Sequence, residues 1–295
     1  MTTAARVVAQ AKINLLLHVL AQEKSGYHSI ETLFQRIDLA DEVTVRATSS
    51  GRALDCRGPA MPSQGLGETT RNLAFRAAEL YQRETGWPNG FAIEIDKRIP
   101  VGGGLGGGSA DAGAALRCLD AVSPKPVGPR LGELAAAIGA DVPFLTSEDP
   151  LALAWSRGER MMALAPLPSR VLALVIPDFG VATADAYGWL AASRDSYAPR
   201  GRLLRPDEVT SWDAVAALAA NDFEPVIADR HPVIGEIVRG LRERGATMAM
   251  MSGSGSSVFG VFPWPLDVRT MRLPSGCAVI ETRTSERVAQ VERLQ

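Results

Sequence analysis

Six of the seven residues at positions 102–108 are glycine, within the string PVGGGLGGGSADA at 100–112. Glycine loses more conformational freedom on ordering than any other residue, so a loop this rich in it is a costly connector. What such a loop offers is bare backbone. Its N–H groups can converge on an anion with no Cβ in the way, and a helix starting at its end adds the partial positive charge of its N-terminus. The flanks fit that reading. Residues 91–96 alternate Phe91, Ile93 and Ile95 with Ala92, Glu94 and Asp96, as a half-buried strand does. Residues 109–122 read as a helix with Ser109 near its N-cap. The candidate phosphate site therefore runs from Pro100 and Val101 through Gly102, Gly103, Gly104, Leu105, Gly106, Gly107 and Gly108 to Ser109 and Ala110.

Several phosphate-binding architectures use glycine. Gly102, Gly104 and Gly107 match the spacing of the dinucleotide fingerprint, which makes a dinucleotide-binding oxidoreductase one rival. That fold needs a second strand ending in an acidic residue about twenty positions on. The chain instead runs into a proline-containing loop at 123–129. A Walker loop needs a lysine before the hydroxyl residue, and Gly108 precedes Ser109. Asp178, Phe179 and Gly180 spell a protein-kinase element, but no catalytic-loop or lysine-strand partner accompanies them.

Elsewhere the pattern mixes strands and helices. Ile13, Leu15, Leu17 and Val19 alternate with Lys12, Asn14, Leu16 and His18, so residues 7–20 read as a strand. Period two puts Lys12 and Asn14 on one face and commits the other to the core. Taken alone, Lys12 reads more readily as a solvated strand-edge lysine. Further strands are expected at 42–48, 151–155, 171–177, 247–251, 257–262 and 277–282, and a loop at 49–70. Helices are expected at 72–85 with Gly86 as its stop, and at 130–138, 212–220 and 232–244. Residues 193–210 are rich in Arg, Pro and Asp and read as a surface insertion. Asp141, between Gly139 and Pro143, suits a helix N-cap as well as a site. MSGSGSSVFG at 251–260 is either a turn of small residues between two strands or a second phosphate loop. Without strict βα alternation the fold class is α+β, divided into residues 1–155 and 156–295.

Composition removes other classes. Thirty-one basic against thirty-three acidic residues give a net charge of −2, which argues against nucleic acid or an anionic membrane as partner. Cys56, Cys118 and Cys277 are odd in number and lack CxxC spacing, so neither a disulfide framework nor a zinc site is indicated. No apolar run approaches the roughly 18 residues of a membrane span, and a cytoplasmic location is expected.

AKIN at 11–14, GYH at 26–28, GGGLGGGSAD at 102–111, GADVPF at 139–144 and MSGSGSS at 251–257 together resemble the GHMP small-molecule kinases. Within that superfamily the chain is similar to the branch that acts on a cytidine diphosphate-linked methylerythritol, in non-mevalonate isoprenoid biosynthesis. The likeness spans nearly the whole chain and is weakest at 49–69 and 193–210. It implies a two-domain fold with the active site in the cleft between domains, and transfer of the ATP γ-phosphate to a methylerythritol hydroxyl. Mg²⁺ is implied because ATP arrives as its magnesium complex. By resemblance Lys12 and Asp141 are the catalytic pair, Asn14 lies with the substrate, and Asn72 lies near the nucleotide. Tyr27 would stack on cytosine and His28 would hydrogen-bond its edge, with Thr183 and Tyr187 on the substrate side. Ala110 departs from the pattern, since many relatives carry a second serine there, and no metal ligand is named. A mevalonate- or homoserine-type kinase is the same-class alternative, and GYH favours the cytidine substrate. The small-molecule partner apart, a monomer and a homodimer are both compatible with the sequence.

Overall fold

The structure is a computed structural model, and it describes residues 3–22, 28–194 and 203–295. The first alternating stretch lies in β1 (Ala4–Gln22), which pairs antiparallel with β2 (His28–Thr48), facing Lys12 with Arg36 and Asn14 with Phe34. Register shifts between Gln10 and Lys12 and between Asn14 and Leu16 bracket this segment. Bulges of this kind re-aim side chains next to functional sites. Ile13 and Leu15 are fully buried on the core face, as the alternation requires.

The chain continues through β3 (Arg52–Arg57), β4 (Gly90–Asp96), β5 (Leu151–Ser156), β6 (Arg160–Ala163) and β7 (Val171–Pro177). It ends with β8 (Ala220–Asn221), β9 (Met248–Met251), β10 (Val258–Phe262), β11 (Cys277–Arg283) and β12 (Glu292–Leu294). One sheet has the order β12-β1-β2-β4-β3, with β5 on β2, β6 on β5 and β8 on β1. Position 155 falls inside β5, and the chain returns to this sheet at β8 and β12. The 49–70 segment is not all loop. Leu54 and Cys56 pack on the core from β3, which runs parallel to β4, but two apolar positions are too few to show a strand period.

The second sheet, β11-β7-β10-β9, is a shared wall. Leu172, Leu174, Met248, Met250, Phe259 and Val261 join the larger core cluster. Their neighbours Val171, Ala173, Val175, Ala249, Met251, Val258 and Phe262 face a second cluster. A strand buried on both faces reads as a continuous apolar run, which is what VLALVIP is.

Helices cover both sheets: α1 (Leu73–Thr85), α2 (Gly107–Val122), α3 (Leu131–Ile138) and α4 (Val142–Thr146), then α5 (Thr183–Ala192), α6 (Trp212–Leu218), α7 (Glu224–Ala228) and α8 (Val233–Glu243). Asn72 caps α1 through Ala74 N and Phe75 N, and Gly86 ends it at φ 72°. In α8, Ile234, Ile237, Val238 and Leu241 form the buried stripe, at i, i+3, i+4 and i+7. Ser109 is not the cap of α2. The helix starts two residues earlier, Gly106 stands at the N-cap, and no side chain caps it. The 193–210 stretch is not wholly surface either: Leu204 and Val209 are buried, while residues 195–202 lie outside the described residues.

α2 is built for close approach, with a Cβ on Gly113 falling 2.6 Å from Leu145 O and 2.8 Å from Leu145 C. The obstruction is backbone, so α4 must move if a methyl group is added. Gly113→Ala should lower stability by about 1–3 kcal/mol, the usual cost of overpacking, read as a lower Tm. An unchanged Tm would mean that the α2–α4 spacing yields freely.

Candidate functional site

The glycine loop forms one wall of a cleft of ≈ 1530 Å³. A single drug-sized ligand needs about 300–1,000 Å³, so this space suits two ligands side by side. Gly102, Gly104 and Gly106 have φ of 79°, 76° and 73°, the left-handed region open to glycine. Packing excludes side chains too: a Cβ on Gly104 would fall 2.2 Å from Ser252 O, and one on Gly103 would fall 2.4 Å from Ser257 Oγ.

The second glycine-serine loop is thus a hairpin turn between β9 and β10 that buttresses the first loop. Ser252 Oγ donates to Gly104 O at 3.0 Å and Ser257 N to Gly103 O at 3.2 Å. Asn221 Nδ2 holds the turn through Met251 O and Gly253 O, both at 2.8 Å. Gly253, Ser254 and Gly255 also line the cleft.

At the base of the loop, Ala110 N donates to Gly106 O at 2.8 Å, the first bond of α2. The N–H groups of Gly107, Gly108 and Ser109 therefore have no acceptor within the helix. All three residues line the cleft. An uncapped helix start on a cleft wall has the chemistry to hold an anion. Ala110 is not on the wall; its methyl group lies in the core at 1% exposure.

Lys12 is no solvated edge lysine. Beside it, β1 pairs with β12 at Ala4–Arg6 and with β8 at Leu16 and Leu17. The glycine loop fills the gap between them, with Lys12 N donating to Leu105 O at 3.0 Å. The side chain is 4% exposed, and Nζ donates to Asn14 Oδ1 at 2.7 Å and lies 3.3 Å from Asp141 Oδ2. Asn14 is oriented in turn by Thr32 Oγ1 at 2.8 Å, itself bonded to Leu16 O. Asp141 occupies the N-cap position of α4 yet makes no capping bond. Its carboxylate turns to Lys12 instead. A Cβ on Gly106 would lie 3.0 Å from Lys12 Cγ and 3.1 Å from Cε, so the bare backbone also makes room for the ammonium.

Asn72 lines the cleft while its Oδ1 caps α1, which leaves the amide nitrogen for a ligand. On the opposite side the His28 ring stacks on Tyr187 at 4.3 Å, and Tyr187 meets Phe223 edge-on at 4.9 Å. Burial holds the His28 imidazole below its usual range, which favours the neutral ring. Thr183 Oγ1 lies 3.1 Å from Ser254 Oγ, joining α5 to the hairpin. Tyr27 lies outside the described residues. The structure therefore brings Lys12, Asn14, His28, Asn72, Asp141, Thr183 and Tyr187 to the same cleft as the glycine loop.

One cluster had no sequence signal. Lys97 Nζ bonds Asp111 Oδ2 at 2.7 Å and also Asp41 Oδ2, whose other oxygen accepts from Arg98 N at 2.5 Å and Ile99 N at 2.8 Å. Residues 97 and 111 flank the glycine loop, so this buried triad clasps its two stems. Positions 41, 97 and 111 share no spacing that marks them in advance. The oxidoreductase rival fails on topology: β4, which leads into the loop, runs parallel only to β3, and β2 pairs antiparallel with it.

The chain matches the family models described as GHMP kinases N terminal domain over residues 72–148 and GHMP kinases C terminal over residues 205–270. It is 41% identical over 261 residues to the 4-diphosphocytidyl-2-C-methyl-D-erythritol kinase of Anaeromyxobacter sp. (strain K), a span of 87% of this chain and 80% of that one. A crystal structure of 4-(cytidine 5'-diphospho)-2C-methyl-D-erythritol kinase is similar at TM-score 0.74 and 34% identity, over 95% of this chain and 99% of the other. Homoserine kinase from Cytophaga hutchinsonii is similar at TM-score 0.65 and 18% identity, over 99% of this chain and 98% of the other, a likeness of fold alone.

The clasp has a pH signature. Burial pushes the Asp111 carboxyl from 3.8 up to about 7, against the pull of Lys97. The folded state therefore holds this proton more tightly than the unfolded state, and the group costs stability as pH rises through that window. Relative to Asp111→Asn, the unfolding free energy of the wild type should fall as pH is raised from about 4 to about 8. A difference that stays flat or rises across those buffers would contradict the assignment.

Proposed function

The chain belongs to the GHMP kinases, in the 4-diphosphocytidyl-2-C-methyl-D-erythritol kinase family, and we propose that Lys12 and Asp141 carry the phosphoryl transfer from ATP to the 2-hydroxyl of its substrate. One observation carries this reading: Asp141 sits where a cap would be, leaves the cap unmade, and pairs with a buried lysine at 3.3 Å in the cleft that α2 opens into.

Phosphoryl transfer asks little covalent chemistry of a protein; it asks for alignment and charge stabilisation. The N–H groups of Gly107, Gly108 and Ser109 hold phosphate oxygens, and the loop's lack of side chains lets them come close. The substrate hydroxyl lies between Asp141 and the γ-phosphorus. As its oxygen bonds to phosphorus, its proton passes to the Asp141 carboxylate, and the bond from phosphorus to the β-phosphate oxygen breaks to release ADP. Lys12 aligns the hydroxyl and spreads the charge developing on the equatorial oxygens, while Asn14 keeps the ammonium in place. Asn72 meets the nucleoside end of ATP. Tyr27, His28, Thr183 and Tyr187 take the cytidine end of the acceptor, with a neutral His28 on the base edge and Tyr27 stacked on its face. In this reading residues 1–155 supply the nucleotide site and both reacting side chains, and residues 156–295 supply the opposite wall.

Mg²⁺ prefers oxygen ligands and keeps water and substrate phosphates in its shell. The Ser109 hydroxyl, on the cleft wall in the first turn of α2, is an oxygen of that kind, and no cluster of three or more acidic or metal-binding side chains occurs among the described residues. The ion would arrive on ATP and neutralise phosphate charge. No helix among the described residues is long and apolar enough to cross a membrane.

Coupled ADP release tests the assignment. Asp141→Asn should lower kcat by roughly 10²–10⁴ with little change in either KM, and Lys12→Met should do similar damage. The double variant should lose far less than the product of the two, because the residues act as a unit. A wild-type kcat for Asp141→Asn would remove it as the base. Gly106→Val is expected to abolish turnover by displacing Lys12; full activity would show that the contact is immaterial. Faster turnover with mevalonate than with the cytidine-linked alcohol would sink the substrate assignment.

A further inference from the structure

We propose that Arg36 is a positioning residue for the phosphoryl-transfer pair: its guanidinium fastens the far end of α4 so that Asp141, at the near end, meets Lys12. The proposal rests on the roles given above to Lys12 and Asp141.

Arg36 stands directly across from Lys12 in the β1–β2 register, so both side chains leave the sheet on the same face. It is 1% exposed and does not line the cleft. A buried guanidinium is costly unless its donors are met, and a carboxylate is the usual partner. Here the donors go to main-chain carbonyls. Nη2 donates to Phe144 O at 2.6 Å and to Ser147 O at 2.8 Å, and Nε donates to Asp149 O at 3.1 Å. These oxygens belong to the end of α4 and the segment leaving it, and Phe144 O also accepts from Ser147 N at 3.2 Å and from Ser147 Oγ at 3.0 Å. Burial lowers the guanidinium to about 9, which still leaves it charged at neutral pH.

The contact bears on Asp141 because α4 is only five residues long. A helix of so few residues is set by what it touches rather than by its own cooperativity. Phe144, one turn from Asp141, stacks on Phe34 with ring centroids 5.0 Å apart. Lys12 Nζ lies 5.5 Å from the Phe34 centroid, and the Arg36 guanidinium carbon lies 5.0 Å from that of Phe144. Each of the two stacked rings thus carries a cation, Lys12 over Phe34 and Arg36 over Phe144. Asp141 closes the arrangement on Lys12, and Arg36 closes it on Phe144 O and Ser147 O. An apolar residue would fill the same space at a lower desolvation cost. What it could not do is hold three carbonyls of the α4–β5 connection at fixed distance.

The test is a double-mutant cycle of Arg36→Lys and Asp141→Asn, read as kcat and as KM for ATP and for 4-diphosphocytidyl-2-C-methyl-D-erythritol, with Tm alongside. Lysine keeps the charge but lacks the fork. It should lower kcat by about 10–100-fold, the scale of a misplacement of about 1 Å, with each KM within about 2-fold of wild type. On the Asp141→Asn background the same change should move kcat by less than about 2-fold, since a carboxamide has no proton to accept from the right place. Equal kcat losses on both backgrounds, an undiminished kcat in Arg36→Lys, or a rise in both KM values would overturn the proposal. Arg36→Met repeats the cycle if the lysine variant does not fold. Failure of both to fold would make Arg36 a residue of the core and nothing more. A wild-type kcat in Asp141→Asn alone shows at once that the base was misassigned; Arg36 then has nothing to position.

Discussion

A lysine ammonium lies almost wholly buried on a central strand, and the means of holding it there organise the surrounding structure. An ammonium taken out of water needs its donors met and its charge balanced. Asn14 and Asp141 meet those needs from two different elements, β1 and the start of α4. The glycine loop closes the third side through Leu105 O and the open space at Gly106. The run of glycines therefore has two physical causes. It leaves the backbone bare along the cleft wall, and it leaves room for the lysine stem. A residue with a Cβ at position 106 fails on both counts, with φ at 73° adding strain.

Charge in the cleft is divided between backbone and side chains. Lys97 lines the cleft, but Asp41 and Asp111 already hold its ammonium. The side-chain cation of the cleft that pairs with Asp141 is Lys12, and the N–H groups at the start of α2 have no acceptor within the helix. The Lys97 triad contributes by tying the two stems of the glycine loop together. A long glycine-rich loop has a large conformational entropy to lose, and fastening its stems and its middle reduces what a ligand must order. The β9–β10 hairpin supplies the middle fasteners through Ser252 and Ser257, and Asn221 holds the hairpin. Residues late in the chain thereby shape the glycine loop.

The shared sheet explains how this support is transmitted. β7, β9 and β10 bury alternate side chains in two different clusters, so the wall between the halves has no polar face. Close packing on both sides leaves the hairpin at its end little freedom to drift from the glycine loop. α4 has the opposite character. It is short, and its placement depends on Phe34, Arg36 and the bare Gly113 of α2.

Local pattern by itself determined the strand at β1 with Lys12 and Asn14 on one face, the strand–glycine–helix unit around residue 102, and the glycine that ends α1. Each of these depends on neighbours within one turn or one strand repeat, where period and cap chemistry act. Resemblance of five short motifs to a kinase family added the roles expected of Lys12 and Asp141. Only the tertiary structure decided that Lys12 is buried rather than solvated, and that Asp141 abandons its cap for an ion pair. The same holds for the joining of Asp41, Lys97 and Asp111, and for Arg36 gripping the end of α4. Those outcomes depend on groups 14 to 129 positions apart in the chain. Burial and charge pairing act through space, and a sequence period carries no record of which distant carboxylate or carbonyl the fold will bring into contact.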